Sequence, residues 1–445
     1  MAKKTFPTGA SSNATATDKK LYRYVTLIPL AAFLIKMIVM SNIQSGGWLG
    51  ADGENYTAGI DGLLRDGFFS DEPKLSYWPA GYPLLLWPLA KVSLTNFYFF
   101  VSVIQSVFYA FATYYLANQL RKSSLKYLTF LVLLLISFNP TLSLSTLAVG
   151  YEAPIASCLM MIAGLFLQIF SSTGKRAFIL KTSYIAGWFS LAIFMQPRFI
   201  LVGVICIILL ILKTGISKSS ALVLVVSLSI MSISPAIMMY RNSQVIGQAT
   251  ISTNLGVTMA IGAGDETEGG YDRSGPEVPC EATPPATAPT DNQKVKCVIK
   301  WYTQNPVKTI NLAFNKSQFF WSPWSGPLVN GTMARNPWLK ISPTESIGKN
   351  NDGARLVTGT FGKLVSYGWI IGQIFFLFLG FREIRKLGDQ EKFLALILIT
   401  PVILSWLTSI GTIGDHRFRI PTMTLSLILQ AAGILAVKKR ITKAF

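Results

Sequence analysis

Charged residues are scarce in this chain of 445 residues, at 14% of the sequence, whereas 51% of the residues are hydrophobic. Soluble globular domains contain about 25% charged residues, so this composition excludes an ordinary soluble fold. The chain also has only one histidine and four cysteines. Their spacing does not suggest a structural zinc site, and we find no Walker motif, dinucleotide-binding glycine pattern or tandem repeat. The composition therefore predicts an integral membrane protein.

Long apolar segments make up most of the chain. About 20 apolar residues in a helix cross a hydrocarbon layer of about 30 Å, and many segments approach that length. They lie near residues 24–42, 96–118, 127–148, 153–171, 182–197, 199–212, 221–240, 364–381, 393–413 and 420–437. The sequence thus predicts an all-α polytopic integral membrane protein with about 10 transmembrane helices.

Basic residues outnumber acidic ones by 40 to 21, which gives a formal charge of +19. In a soluble chain this charge would favour nucleic-acid binding. Here the basic residues instead cluster in alternate loops, for example at 121–126, 175–181 and 382–392, as the positive-inside rule requires. The distribution predicts that both termini lie in the cytoplasm and that nucleic acid is not a partner.

Hydropathy divides the chain into four parts. Residues 1–23 are polar and predict a disordered cytoplasmic tail without a cleavable signal peptide. Residues 24–240 predict an N-terminal transmembrane module with an outer loop at 43–95. A Pro- and aromatic-rich stretch in this loop is too short to cross the membrane and predicts interfacial helices. Residues 241–360 predict a small extracytoplasmic α/β or irregular domain, and residues 361–445 a C-terminal transmembrane module.

Two of the four cysteines, Cys280 and Cys297, lie in the polar segment 241–360, and the other two lie in predicted spans. In an oxidising compartment a disulfide between Cys280 and Cys297 would close a Pro-rich loop. The spacing supplies no geometry, so the sequence leaves both the bonded and the free state open.

Two carboxylates are the candidate catalytic groups. Asp52 begins a predicted helix that ends at Gly67, and Glu152 follows the third predicted span on the same face of the membrane. One carboxylate can act as a general base, and the two together are candidate ligands for a divalent cation. A helix N-cap at Asp52 and a water-facing side chain at Glu152 are the simpler interpretations, and both stay open.

Several basic residues depart from the basic-inside pattern and lie at the outer ends of predicted spans. They are Arg198, Arg241, Arg417, Arg419 and the only histidine, His416. Arginine binds phosphate through paired hydrogen bonds, so this group is the candidate phosphate site; simple anchoring of the span ends is the alternative. The outer loop adds three candidate substrate-binding residues, Glu54, Tyr56 and Tyr82.

A series of motifs follows in a fixed order along the chain. They are DGENY, WPAGYPLLL, FNPTLSLSTLAVGYE, RNSQVIGQATISTNLGVTMAIGAGDETEGGY, IKWYTQNPVKTINLAFNKSQFFWSP and GDHRFRIP. In this order the chain resembles the GT-C superfamily of polyprenyl-phosphate-sugar-dependent glycosyltransferases, in the branch of protein O-mannosyltransferases and aminoarabinose transferases. The resemblance implies a GT-C fold, a lipid-linked donor, inversion at the anomeric carbon and an extracytoplasmic active site in the bacterial plasma (inner) membrane.

The resemblance also implies roles for individual residues. By position, Asp52 matches the catalytic aspartate of the first outer loop, Glu152 a second acidic residue, and the segment around Arg417 a contact to the donor phosphate. The chain departs from the family at His416, where many relatives carry an acid, and in WPAGYP, where relatives often have two consecutive prolines. These departures leave the donor contacts open.

The substrates are not determined by the sequence. The sugar is a hexose or a pentose, and the acceptor is a glycan, a lipid or a protein. The alternative function is a transporter or flippase of a lipid-linked sugar or anionic solute. Transporters place such charges near the bilayer midplane and often have inverted halves, whereas these acids lie in outer loops, which favours the transferase.

Overall fold

The computed structural model describes residues 16–42, 47, 52–171, 174–215, 217–271, 278, 280, 289–322, 355–356 and 359–444. Within these ranges the regular structure is helical, without a β-strand. Residues 1–15 of the predicted tail, nearly all of 43–51 in the first outer loop and 323–354 of the predicted outer domain lie outside the described residues.

The N-terminal half of the chain is a series of long spans interrupted by short helices. In chain order they are α1 (Ala16–Ser41), α2 (Gly53–Asp66), α3 (Lys74–Tyr77), α4 (Gly81–Val92), α5 (Phe97–Arg121), α6 (Thr129–Phe138), α7 (Pro140–Leu144), α8 (Glu152–Ser171), α9 (Lys175–Met195), α10 (Phe199–Thr214) and α11 (Lys218–Val245). The first of these begins inside the segment that predicted a disordered tail.

The C-terminal half begins with three helices outside the long spans and ends with three long apolar helices. They are α12 (Leu255–Ile261), α13 (Asp291–Gln304), α14 (Pro306–Trp321), α15 (Gly359–Arg385), α16 (Asp389–Gly411) and α17 (Met423–Ala444). The α/β alternative for the outer segment is not observed, because its described residues form helices. A capping box between Thr290 and Gln293 starts α13, and Pro306 occupies the first turn of α14.

Among the described residues, eight helices are long and apolar enough to cross a membrane, or nine if one bent pair forms a single span. The bent pair comprises α6 and α7, which meet at 52°. Asn139 has extended backbone angles there and caps α7 by accepting a hydrogen bond from the Leu142 amide at 3.0 Å. Together with the 16-residue α10, these elements coincide with the predicted apolar segments. The predicted all-α polytopic membrane fold is confirmed.

Short helices occupy the first outer loop, as predicted. Helix α2 ends at Gly67, whose φ of 77° lies in the region that favours glycine. Its apolar stripe includes Tyr56, Ile60 and Leu63, all buried. Helix α4 has 12 residues, which give a length of about 18 Å and therefore cannot cross a bilayer.

Two features of helix packing hold the transmembrane bundle together. Helix α8 is the most buried of the described spans and lies at the centre of the bundle. Helices α15 and α17 cross at Gly380 and Gly433, where a Cβ on Gly380 would collide with the Leu429 carbonyl and a Cβ on Gly433 with the Phe376 carbonyl. The two backbones are therefore in direct contact.

The outer segment contains one disulfide, between Cys280 and Cys297 of α13. The structure thus chooses the bonded state where the sequence left both states open. The bond lies in a small apolar cluster of its own, which includes Met259 of α12 and Val298 of α13. It ties residue 280, on the far side of the Pro-rich stretch, to a helix.

Candidate functional site

Arg417 joins the two candidate catalytic carboxylates. Its Nη1 lies 2.7 Å from Oδ2 of Asp52, while its Nη2 and Nε donate to Oε1 of Glu152 at 2.9 and 3.1 Å. The side chains of Arg417 and Asp52 are 12% and 16% exposed, and that of Glu152 is fully buried. The structure therefore brings together three residues that are far apart in the sequence, in a cluster that remains slightly open at Asp52.

Local structure explains how each member of this cluster is placed. Asp52 and Glu152 stand at the N-termini of α2 and α8, where the helix dipole favours negative charge. Arg417 lies in the first of two short 3-10 turns between α16 and α17, and its backbone amide donates to the Asp415 carboxylate at 2.8 Å. Asp415 thus fixes the turn from which the guanidinium reaches both acids.

Neither acid makes the contact that its simpler interpretation assigns to it, although Asp52 does occupy the N-cap position of α2. The Asp52 side chain makes no capping hydrogen bond to α2, because it turns to Arg417 instead. Glu152 does not face water, since it is 0% exposed. One of its oxygens, Oε2, is buried without a hydrogen-bond partner. Both carboxylates are therefore committed to one polar centre inside the protein.

Arg198 lies beside this centre and is unpaired. Its Nε, Nη1 and Nη2 are all buried, and none has a hydrogen-bond partner. Aromatic rings surround the guanidinium: its Cζ is 4.3 Å from the Phe418 ring centroid, 5.5 Å from that of Phe199 and 5.9 Å from that of Tyr151. Burial lowers the pKa of Arg198, and the nearby Glu152 carboxylate partly opposes that effect. A buried cation without a hydrogen-bond acceptor is energetically unfavourable unless a bound ligand accepts its hydrogen bonds and pairs its charge.

Three tyrosines line the carboxylate side of the centre. The ring of Tyr56 packs edge-on against those of Tyr82 and Tyr151, at centroid distances of 5.1 and 6.3 Å. Burial raises the pKa of Tyr56 well above its usual value, and the Asp52 carboxylate adds to this. Burial also raises the pKa values of Tyr82 and Tyr151. All three phenols therefore stay protonated and can act as hydrogen-bond donors.

Tyr82 has a positioning contact as well. Its hydroxyl accepts a hydrogen bond from the Gly150 amide at 2.8 Å, two residues before Glu152. The interfacial helix α4 is thereby tied to the N-terminus of α8. The sequence predicted substrate binding for Tyr82, whereas its observed hydrogen bond is to the protein.

Two predicted phosphate-binding residues are engaged elsewhere. Arg241, at the end of α11, donates to the carbonyls of Phe68, Ser70 and Leu75, and to the Ser76 hydroxyl. These contacts hold the turn between α2 and α3. Arg419 donates to the Ser322 carbonyl at 3.0 Å and to Gln373 Oε1 at 3.3 Å. Protein acceptors bind both guanidinium groups, and the prediction that Arg241 and Arg419 bind phosphate stays a prediction.

The remaining predicted residues lie at the edge of the centre. His416 is buried next to Arg417, with its Nδ1 3.8 Å from Oδ1 of Asp415. Glu54 is exposed in the first turn of α2. Sequence reasoning missed Asp415 and Tyr151, although both adjoin predicted residues in the chain. That adjacency was the available signal.

The donor set does not fit a metal centre. Arg417 occupies the space between the two carboxylates that were the candidate cation ligands, Asp52 and Glu152. Within the part of the chain that the structure describes, no three His, Cys, Asp or Glu side chains group at a distance suitable for a metal ion. A cation would have to displace a guanidinium that both acids already bind.

Comparison with known proteins identifies the fold. No protein-family model and no curated protein matches the sequence. The crystal structure of the Archaeoglobus fulgidus oligosaccharyltransferase in the apo form is 13% identical, with a TM-score of 0.50, over 96% of this chain and 51% of that chain. The chain therefore spans about half the length of this neighbour.

Two further structures of the Archaeoglobus fulgidus enzyme are similar at lower scores. The complex of oligosaccharyltransferase AglB with an inhibitory peptide and a dolichol-phosphate is 10% identical, with a TM-score of 0.46, over 96% of this chain and 51% of that one. The form tethered with an acceptor peptide is also 10% identical, with a TM-score of 0.47, over 95% and 50%. At such identities the likeness concerns the fold alone. The chain therefore shares the fold of the apo-form structure over 96% of its own length.

Proposed function

We propose that this protein is an inverting membrane glycosyltransferase that moves a sugar from a polyprenyl-phosphate-linked donor to an acceptor hydroxyl. The observation that carries the proposal is the buried, unpaired guanidinium of Arg198 beside the Arg417 ion pairs. A site with two arginines and two carboxylates suits a substrate that brings a phosphate and a hydroxyl together. The fold and the order of the motifs favour the same class of reaction.

The arginines have a direct role in this reaction. When the bond between the anomeric carbon and the phosphate oxygen breaks, negative charge grows on the leaving phosphate. Guanidinium groups that already point there stabilise the transition state more than the ground state. Arg198 has free donors for this contact, and Arg417 can exchange its pairing with Asp52 for the phosphate. The aromatic rings around Arg198 keep water away and so strengthen the attraction.

Asp52 is the proposed general base. It takes the proton of the acceptor hydroxyl while the hydroxyl oxygen forms its bond to the anomeric carbon from the face opposite the phosphate. One base is enough for an inverting transfer. Asp52 is the more exposed of the two acids, at 16%, so an acceptor can reach it. Fully buried Glu152 instead holds Arg417 in place.

The extracytoplasmic face of a bacterial plasma membrane is the proposed location. Basic loops on alternate sides of the spans favour cytoplasmic termini and put the cluster on the other face. The disulfide between Cys280 and Cys297 is in keeping with an oxidising compartment. The cluster also lies at the ends of α2 and α8 rather than within a span, which favours a transferase over a transporter or flippase. The proposed sugar is a hexose or a pentose, and the proposed acceptor is a glycan, a lipid or a protein.

The test uses the full-length protein in membranes with a panel of radiolabelled polyprenyl-phosphate sugars. Asp52→Asn removes the base and keeps the size of the side chain, so we expect donor binding to persist while transfer falls by a factor on the order of a hundred to ten thousand. Asp61→Asn is the matched control, because Asp61 is an exposed acid on the same helix, α2. It should transfer at the wild-type rate.

Two results would contradict the proposal. Undiminished transfer by Asp52→Asn would remove Asp52 from the mechanism. Movement of the intact labelled lipid across the bilayer, with no transfer from any donor to membrane acceptors, would favour the flippase instead.

A further inference from the structure

Helix α14 is fixed across the end of the transmembrane helix α16. Nε1 of Trp406 in α16 donates to the Ser317 hydroxyl at 2.9 Å, and the Trp406 ring packs edge-on against Trp321 at a centroid distance of 5.5 Å. Nζ of Lys316 donates to the carbonyls of Ile410 and Thr412, at 3.1 and 2.7 Å. Lysine thus caps the last turn of the span, and the C-terminal half of α14 is anchored to it.

The same face of α14 is uncovered over its N-terminal half. Residues three or four positions apart share one face of a helix. Val307, Ile310 and Phe314 therefore lie in line with Ser317 and Trp321, which contact Trp406. Val307 is 71% exposed, Ile310 68% and Phe314 64%. Helix α14 therefore extends beyond α16 and leaves an apolar face open, the overhang (Val307, Ile310 and Phe314).

The surroundings of the overhang show what faces it. The overhang continues the face of α14 that contacts the transmembrane helix α16 at Trp406. On that helix Leu407, next to Trp406, is 54% exposed. Lipid-facing residues of α15 have the same exposure as the overhang, with Leu364 at 68% and Ile371 at 65%. The side chains of the overhang are therefore as exposed as apolar side chains on the outside of the spans.

Charge is placed on the other side of the helix. Lys308 lies two positions from Ile310, and residues two apart do not share a face of a helix. Its Nζ forms an ion pair with Oδ1 of Asp265 at 2.5 Å, on an exposed surface. Helices with an apolar face and a charged opposite flank lie in the interface of a bilayer, with the apolar side chains among the acyl chains.

We propose that the overhang of α14 is a membrane-seating surface, with Val307, Ile310 and Phe314 among the acyl chains beside α16. In water these three side chains would leave a contiguous apolar patch exposed, and a bilayer removes that patch from water at about 25 cal/mol per Å² of apolar surface. Part of the polar segment 241–360 then belongs to the membrane, although it lies between spans. The proposal is independent of the catalytic function.

The test places an environment-sensitive fluorophore on single introduced cysteines in the full-length protein, reconstituted in phosphatidylcholine vesicles. The variants are Ile310→Cys on the overhang, Lys308→Cys as the matched control on the opposite flank, and Leu407→Cys as the lipid-facing reference. The free cysteines of the chain, Cys158 and Cys206, are buried, and the unmodified protein gives the labelling background. Quenching is measured with a nitroxide-labelled phosphatidylcholine and, separately, with aqueous iodide.

We expect the label at Ile310 to lose most of its fluorescence to the nitroxide lipid and little to iodide, as the label at Leu407 does. The label at Lys308 should show the reverse. Strong iodide quenching at Ile310, equal to that at Lys308, would mean that the face is aqueous and would overturn the proposal. Protection from both quenchers would also overturn it, because another part of the protein would then cover the face.

Discussion

Replacing Arg198 with glutamine separates the contribution of this residue to function from its contribution to folding. The guanidinium is buried, lies against the rings of Phe199 and Phe418 and has no hydrogen-bond acceptor. Keeping this charge away from water destabilises the folded state, and Arg198→Gln removes the charge. The free energy of unfolding of the variant should therefore stay the same or rise. If Arg198 stabilises the leaving phosphate, turnover should fall by a factor on the order of a hundred to a thousand, or about 3–4 kcal/mol of transition-state stabilisation.

Arg241→Gln is the matched control, because it removes a guanidinium that protein acceptors bind. Arg241 donates to the carbonyls of Phe68, Ser70 and Leu75, and each hydrogen bond of a charged donor contributes about 1.5–3 kcal/mol. We expect this variant to lose about 3 kcal/mol or more of stability while each folded molecule keeps its transfer rate.

The assay combines two measurements on each variant in the same detergent: thermal unfolding, and transfer from the labelled donor per folded molecule. The phosphate role predicts a stable, inactive Arg198→Gln and an unstable, active Arg241→Gln. If Arg198→Gln unfolds at a lower temperature than the wild type and transfers at the wild-type rate, Arg198 is structural and the reasoning from its missing partner is wrong.

Three further predictions concern the same centre. Arg198→Lys should become less active as the pH rises. Burial lowers the pKa of Arg198 and would also lower the pKa of a lysine there from about 10.4, so that the lysine is charged only below its lowered pKa. A pH profile of transfer, compared with a flat wild-type profile, checks this. Glu152→Gln should weaken the hold on Arg417 by about 2 kcal/mol and reduce transfer without removing donor binding, and equal kinetics would refute a positioning role. Chelators should leave transfer unchanged, because Arg417 lies between Asp52 and Glu152; lost activity that a divalent cation restores would contradict this.

The architecture was largely predictable from the sequence because hydropathy is a local property. Apolar segments of sufficient length must form helices in a bilayer, since no water is present to satisfy their backbone groups. The bend between α6 and α7 also has a local cause, the cap Asn139 followed by Pro140. Helix α2 likewise ends because Gly67 follows it. The sequence prediction left the outer segment as α/β or irregular, although the capping box between Thr290 and Gln293 was a local signal for a helix.

The centre was predictable in its members but not in its contacts. Hydropathy and topology placed Asp52, Glu152 and Arg417 on one face, yet only the fold shows that a single guanidinium joins both acids. Likewise, outward position alone could not tell Arg198, which lacks an acceptor, from Arg241, which the loop carbonyls surround. That difference depends on how the turn between α2 and α3 folds back on α11, which is a long-range property.

The glycine crossing of α15 and α17 limits how the cluster of Asp52, Glu152 and Arg417 can move. At Gly380 and Gly433 the two helices touch through main-chain atoms, so no side chain can change rotamer there to let one helix slide past the other. We therefore expect the two helices to move together as one rigid unit. If Arg417 leaves Asp52, we expect the movement to be confined to its side chain and to the segment between α16 and α17, which contains Asp415.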